Sequence, residues 1–247
     1  MSERRLPPWL GPDAASVRGI GRYIDHTLLK PEATETQIAA LCADGRRLGV
    51  KAVCVNGGWT RRAAAELAGS PVLVATVVGF PLGAMAGEAK ASETRLAVAE
   101  GAAEIDMVIQ LGRAKAGDWA GVERDIRHVV QAAGQAAVKV ILETAALEPS
   151  EIEAACRAAM SAGAAFVKTS TGFHPAGGAT AEAVALMRRT VGPSFGVKAS
   201  GGIRTAEAAA AMLAAGANRI GTSGTAGMAA WLGDQAPPLA ELLGAER

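Results

Sequence analysis

Eight short runs rich in valine and isoleucine recur along the chain with starts 21 to 34 residues apart, each followed by a longer alanine-rich amphipathic stretch. The runs are Arg22–His26, Lys51–Asn56, Val72–Gly79, Glu104–Ile109, Val138–Leu142, Ala165–Thr169, Gly196–Ala199 and Arg219–Gly221. That spacing is close to one βαβ repeat, and near-continuous apolar runs read as strands buried on both faces. Helix start signals fall between them. Thr34 with Gln37 and Ser150 with Glu153 read as capping boxes, and Thr180 and Thr205 stand at N-cap positions. Gly49, Gly101, Gly163 and Gly216 stand where helices should end. Eight such units in 247 residues match a (β/α)8 TIM barrel. The rival is an open doubly wound sheet, whose usual GxGxxG turn after the first strand is missing, as is a P-loop. Residues 1–17 lie outside the eight units, and Pro7, Pro8 and Trp9 followed by Ala14–Val17 point to a short extra N-terminal helix. No composition shift marks a second domain, so residues 1–247 are expected to form one barrel domain.

Composition narrows the function. The 25 Lys+Arg against 24 Asp+Glu leave a net charge of +1, which offers no basic surface to nucleic acid. With 4% aromatic residues, base-stacking platforms are not expected either. The opening segment lacks the apolar core of a secretory signal, and the stretch Val72–Gly87 is too short and too interrupted to span a bilayer. A cytoplasmic protein with no membrane partner is expected. Cys42, Cys54 and Cys156 form no disulfide framework, and His26, His128 and His174 are too scattered for a metal site.

Three charges sit where strands should be apolar: Asp106 in EIDMVI, Lys168 in AFVKTS and Lys198 in GVKAS. Only seven residues of the chain are lysine, and a lysine in such a setting is rarely buried without a partner or a purpose. Lys168 and Lys198 fall at matching depths on the sixth and seventh strands. If both point into the barrel mouth, each disfavours protonation of the other and burial pushes the same way. A neutral amine near pH 7 is what a Schiff-base nucleophile requires. The alternative is a structural network in which the lysines pair with carboxylates, or one of them points outward.

Glycine-rich turns close the same strands. Gly201-Gly202 follows the seventh strand, Thr222-Ser223-Gly224 follows the eighth, and Thr171-Gly172 follows the sixth. The first two are expected to open directly into helices, where approachable amides form an anion site. The loops after strands seven and eight are the usual phosphate position in this fold. His26 reads equally as a core or a catalytic residue, His128 as a surface residue and His174 as a solvated loop residue. Cys54 reads as a small buried hydrophobe. Glu143 at the end of the fifth strand is either a turn carboxylate or a mouth residue.

Along most of its length, from about Tyr23 to Gly224, the chain resembles deoxyribose-phosphate aldolase, a class I Schiff-base aldolase family. The motifs are Ile24-Asp-His-Thr-Leu-Leu-Lys30, Val53-Cys-Val-Asn56, Thr76-Val-Val-Gly-Phe-Pro-Leu-Gly83, Glu104-Ile-Asp-Met107, Lys139-Val-Ile-Leu-Glu-Thr144, Phe166-Val-Lys-Thr-Ser-Thr-Gly172 and Val197-Lys-Ala-Ser-Gly-Gly-Ile-Arg204. The resemblance implies a barrel that cleaves 2-deoxyribose 5-phosphate to glyceraldehyde 3-phosphate and acetaldehyde without cofactor or metal. It implies Lys168 as the Schiff-base residue, Lys198 as the group that keeps its amine neutral, and Asp106 as the handler of protons through a water. Phosphate would be held at Thr171, Gly172, Gly201, Gly202 and Ser223, with Cys54 near the aldehyde and Asp25 supporting the lysines. Two departures stand out. Phe173 and His174 occupy the place where some members carry a phosphate-reaching lysine, and the only tyrosine is Tyr23, so the tail tyrosine of some members is missing. The residues leave two other functions open: a Schiff-base aldolase for another phosphosugar, or a non-catalytic barrel whose lysines only bind anions. The extra N-terminal segment with an exposed Trp9 points to a homodimer.

Overall fold

Strands buried on both faces must either be covered by helices on two sides or close on themselves, and this chain closes. The computed structural model describes residues 6–244. Its strands are β1 (Ile24–Leu28), β2 (Ala52–Val55), β3 (Leu73–Val78), β4 (Glu104–Val108), β5 (Ala137–Ile141), β6 (Phe166–Lys168), β7 (Gly196–Ser200) and β8 (Arg219–Thr222). All pairs are parallel and β8 returns to β1, giving a closed eight-stranded barrel. The helices are α1 (Glu35–Arg47), α2 (Thr60–Glu66), α3 (Gly87–Ala99), α4 (Leu111–Lys115), α5 (Trp119–Ala133), α6 (Pro149–Ser161), α7 (Ala181–Val191), α8 (Ala206–Ala215) and α9 (Leu239–Leu242). No helix among the described residues is long and apolar enough to cross a membrane.

Most of the expected helix signals are used. Thr34 accepts the Gln37 amide while the Gln37 side chain accepts the Thr34 amide at 2.9 Å. Thr180 and Thr205 cap α7 and α8. Gly49, Gly101, Gly163 and Gly216 all take positive φ. The Ser150–Glu153 box is displaced by one turn edge: α6 starts at Pro149, and Glu151 accepts the Glu148 amide at 2.7 Å. Proline favours the first helical position because it has no N–H to satisfy there, which puts Ser150 inside the helix. The N-terminal segment is two 3₁₀ turns, Pro8–Leu10 and Ala14–Ser16, rather than a helix of regular length. It packs at the end of the barrel where strands begin. Trp9 is half-buried there, donating to the Leu213 carbonyl at 2.9 Å with the Arg188 guanidinium over its ring. It is therefore packed on its own barrel, and the exposed aromatic behind the expected homodimer is absent.

The main apolar core lies between the strands and the helices. Inside the barrel the filling is divided. Leu29, Ala52, Cys54, Ala75 and Val77 make a small apolar cluster on the β2–β3 side, while β1 and β4 to β8 send charged residues inward. Room for them comes from glycine: a Cβ on Gly221 would stand 2.9 Å from Lys198 Cε, and one on Gly196 would run into the Phe166 ring at 2.2 Å.

A buried lysine outside the barrel interior ties the helical layer to the barrel. Lys90 on α3 is fully buried, and its Nζ donates to Asp125 of α5 at 2.6 Å and to the Val108 carbonyl at 2.8 Å. Removing one member of a buried pair strands the other charge, at a cost of about 3–5 kcal/mol. Lys90→Met should therefore lose about that much unfolding free energy in urea, and the double change Lys90→Met/Asp125→Leu should recover most of it. A loss below about 1 kcal/mol in the single variant would show that the pair does not anchor α3.

Candidate active site

The barrel registers Lys168 directly beside Lys198, and Asp106 beside Lys139. Alternation along each strand then points Asp25, Glu104, Asp106, Lys139, Lys168, Lys198 and Arg219 into the interior, where all are buried. Asp106 is the hub. Its Oδ2 accepts from Lys168 Nζ at 2.7 Å and from Lys198 Nζ at 2.7 Å, and its Oδ1 accepts from Lys139 Nζ at 2.7 Å. Lys198 also donates to Asp25 Oδ2. Lys139 reaches Glu104 at 2.6 Å, and Arg219 joins Asp25 and Glu104 at 2.8 Å each.

Charge counting sharpens the chemistry. Three carboxylates (Asp25, Glu104 and Asp106) face four basic groups, and while Lys139, Lys198 and Arg219 each reach at least two of the carboxylates, Lys168 reaches only the shared Asp106. The pKa directions agree. Burial pushes Lys168 down, Lys198 adds to that, and Asp106 opposes it. Lys198 goes the other way: burial would lower it, but Asp106 and Asp25 together hold it charged. The expected mutual suppression is therefore one-sided: Lys198 is held charged, while the charged form of Lys168 is disfavoured. Burial disfavours the ionised form of Asp106, but Lys139, Lys168 and Lys198 outweigh it and hold the carboxyl well below its ordinary range.

Lys168 is also the one member of this set that lines the mouth cavity, of about 250 Å³. Thr171, Gly172, Gly201, Gly202 and Ser223 line it as expected, together with Lys30, Arg204 and Phe173. Among the described residues, no protein acceptor takes the amides of Gly172 or Gly202. The amides belong to turns rather than to helix starts. Thr205 already caps α8 at the Ala208 amide, and β8 leads into a 3₁₀ segment, Thr225–Trp231. Uncommitted amides in positive-φ turns form an anion-binding nest. Thr222 is withdrawn from it, since its hydroxyl donates to the Ile203 carbonyl at 2.6 Å, whereas Ser223 is exposed.

Other expectations sort themselves by position. Asp25 joins the ionic set. Cys54 is fully buried beside the charges, where burial raises its thiol pKa, and it does not line the cavity. His26 is buried with its Nδ1 3.2 Å from Thr225 Oγ1, on the opposite face of β1 from Asp25. His128 is partly exposed, near Glu88 at 3.9 Å. His174 borders an apolar groove beside the mouth. The sequence reading missed Lys139, Glu104 and Arg219 in the ionic set, and Lys30 and Arg204 at the cavity rim. The period-two spacing of Glu104 and Asp106 was a usable signal.

A family model described as DeoC/LacD family aldolase matches residues 21–233. The chain is 56% identical over 204 residues to a deoxyribose-phosphate aldolase of Brevibacillus brevis, spanning 83% of this chain and 92% of the relative. Its identity to a deoxyribose-phosphate aldolase of Streptococcus sanguinis is 54% over 217 residues, spanning 88% and 97%. Among solved structures, the tetrameric deoxyribose phosphate aldolase of Aeropyrum pernix superposes with a TM-score of 0.80 at 32% identity, covering 85% of this chain and 89% of that one.

The ionic set also fixes an acid dependence. Asp25 and Asp106 have folded-state pKa values below their ordinary 3.8, so the unfolded chain binds more protons as pH falls. Their stabilisation is fully present above about pH 5 and is lost progressively as pH drops through the unfolded value. Unfolding free energy should fall between about pH 5 and pH 3, and Asp106→Asn should flatten that slope. An unchanged slope in the variant would remove Asp106 from the hub.

Proposed function

Because the chain belongs to the DeoC/LacD family of aldolases, we propose that it reversibly cleaves 2-deoxyribose 5-phosphate to glyceraldehyde 3-phosphate and acetaldehyde through a Schiff base on Lys168. The observation that carries this reading is the amine in excess: Lys168 alone of the buried set meets the cavity, and it shares its one carboxylate, Asp106, with Lys139 and Lys198.

The neutral Lys168 amine attacks C1 of the open-chain sugar, and loss of water gives an iminium. Removal of the C3 hydroxyl proton breaks C2–C3, the bonding pair flows into the iminium, and glyceraldehyde 3-phosphate leaves. The remaining enamine takes a proton at its terminal carbon, and water releases acetaldehyde and regenerates the amine. In this reading Asp106 takes the C3 hydroxyl proton through a hydrogen-bonded water and returns it by the same route to the enamine carbon. Lys198 supplies the fixed positive charge that disfavours an ammonium at Lys168. The phosphate lies on the turn amides at Gly172, Gly201, Gly202 and Ser223, with Lys30 and Arg204 at the rim supplying the positive charge that Phe173 and His174 lack. Anchoring the far end contributes mainly orientation of the short chain. The whole chain serves as one catalytic barrel, and assembly with further copies does not draw on Trp9.

Borohydride trapping with acetaldehyde, followed by peptide mapping, should place the adduct on Lys168, and its absence there would sink the Schiff-base role. Lys168→Leu should reduce turnover to background with the fold retained by circular dichroism. Faster turnover on longer ketose phosphates than on deoxyribose 5-phosphate would transfer the site to another phosphosugar. Removing the Lys198 charge raises the Lys168 pKa, so the neutral fraction at a given pH falls. Lys198→Leu should therefore move the acid limb of kcat/KM upward by about one pH unit or more.

A further inference from the structure

One buried carboxylate at the mouth takes no part in these steps. Glu143 follows β5, is 2% exposed, and is the only non-glycine among the described residues with positive φ, at +60°. Such backbone is unfavourable for a residue with a Cβ and persists where its surroundings over-determine it. What holds it here is Thr171. The Thr171 amide donates to Glu143 Oε1 at 3.2 Å and its hydroxyl donates to Oε2 at 2.6 Å. That hydroxyl in turn accepts the Phe173 amide at 3.1 Å. One carboxylate thus fixes the residues on both sides of Gly172, the turn whose own amide is uncommitted among the described residues. Thr171 has no donor left for a ligand, so its contribution to the cavity is indirect.

Resting on the phosphosugar reading above, we propose that Glu143 is the positioning residue of the phosphate cradle: by taking both donors of Thr171 it aims the Gly172 amide into the cavity. Glu143 does not touch the phosphate. Both its oxygens are occupied by Thr171, and it borders the adjoining apolar groove rather than the cavity that holds Lys168. Its left-handed backbone turns the end of β5 so that the carboxylate meets the β6 loop.

The test is the preference for the phosphate ester, the ratio of kcat/KM on 2-deoxyribose 5-phosphate to that on unphosphorylated 2-deoxyribose. Glycine accepts left-handed backbone, so Glu143→Gly keeps the turn and removes the carboxylate; Thr171→Val removes the hydroxyl from the other side. Each should lower the preference about tenfold or more, through KM rather than kcat, the loss expected when hydrogen bonds to a charged group are removed. Thr171→Ser keeps the hydroxyl and should retain the preference within about twofold. An undiminished preference in both Glu143→Gly and Thr171→Val, or an equal loss on both sugars, would overturn the positioning role. If the wild-type protein cleaves neither sugar, the activity proposed above fails, and calorimetric titration with inorganic phosphate reads the positioning role independently. Weaker phosphate binding in both variants would uphold it, and unchanged binding would overturn it.

Discussion

Asp106 accepts hydrogen bonds from three lysine side chains at 2.7 Å each, in a place with no water-exposed surface. The rest of the site follows from that congestion. A single carboxylate cannot neutralise three ammonium groups, so the cluster recruits Asp25 and Glu104 and reaches balance with Lys139, Lys198 and Arg219. Adding a proton to Lys168 would leave one positive charge unmatched in a low-dielectric interior, which is expensive. Lys168 is the amine left over. Its lowered basicity comes from the stoichiometry of the charges around it as much as from the repulsion of one neighbour.

A buried cluster of this kind contributes little to stability compared with well-packed apolar residues, and it must be given space. The barrel supplies both the space and the registration. Gly221 on β8 clears the volume that Lys198 occupies, and Gly196 on β7 does the same for Phe166, whose ring lies 5.3 Å from the Arg219 guanidinium carbon. The β2–β3 side fills with alanine, valine and Cys54 instead. Each of these inward positions is thus set by what the neighbouring strand puts there.

The barrel was legible because its strands are apolar on both faces and return at a near-constant interval. Part of the buried ionic set was legible for a related reason: Lys168, Lys198 and Asp106 are charges inside apolar runs, where only a closed interior can hold them. Lys139 sits in an equally apolar run, and Glu104 and Arg219 begin theirs. At a strand start a charge is ordinarily solvated, and only closure of the barrel turns these inward. The segment around Trp9 was misread because two adjacent prolines shorten a helix to a 3₁₀ turn, and because the Leu213 carbonyl that receives its indole is 204 residues away. The Ser150 cap was displaced because Pro149 competes for the first helical position. The role of Glu143 was beyond periodicity, since it depends on one left-handed residue and on a partner in the next loop.

The two ends of the cavity differ in kind. At one end Asp25, Glu104 and Asp106 balance Lys139, Lys198 and Arg219, which leaves no net field to attract an anion. At the other, amide donors in the turns after β6 and β7 stand uncommitted beside Lys30 and Arg204. On the proposed reading, a phosphate ester would meet those donors at the second end and a carbonyl would meet the Lys168 amine at the first. On that reading the substrate would be oriented by its two ends, with Lys168 on β6 and Gly172 in the turn that follows it.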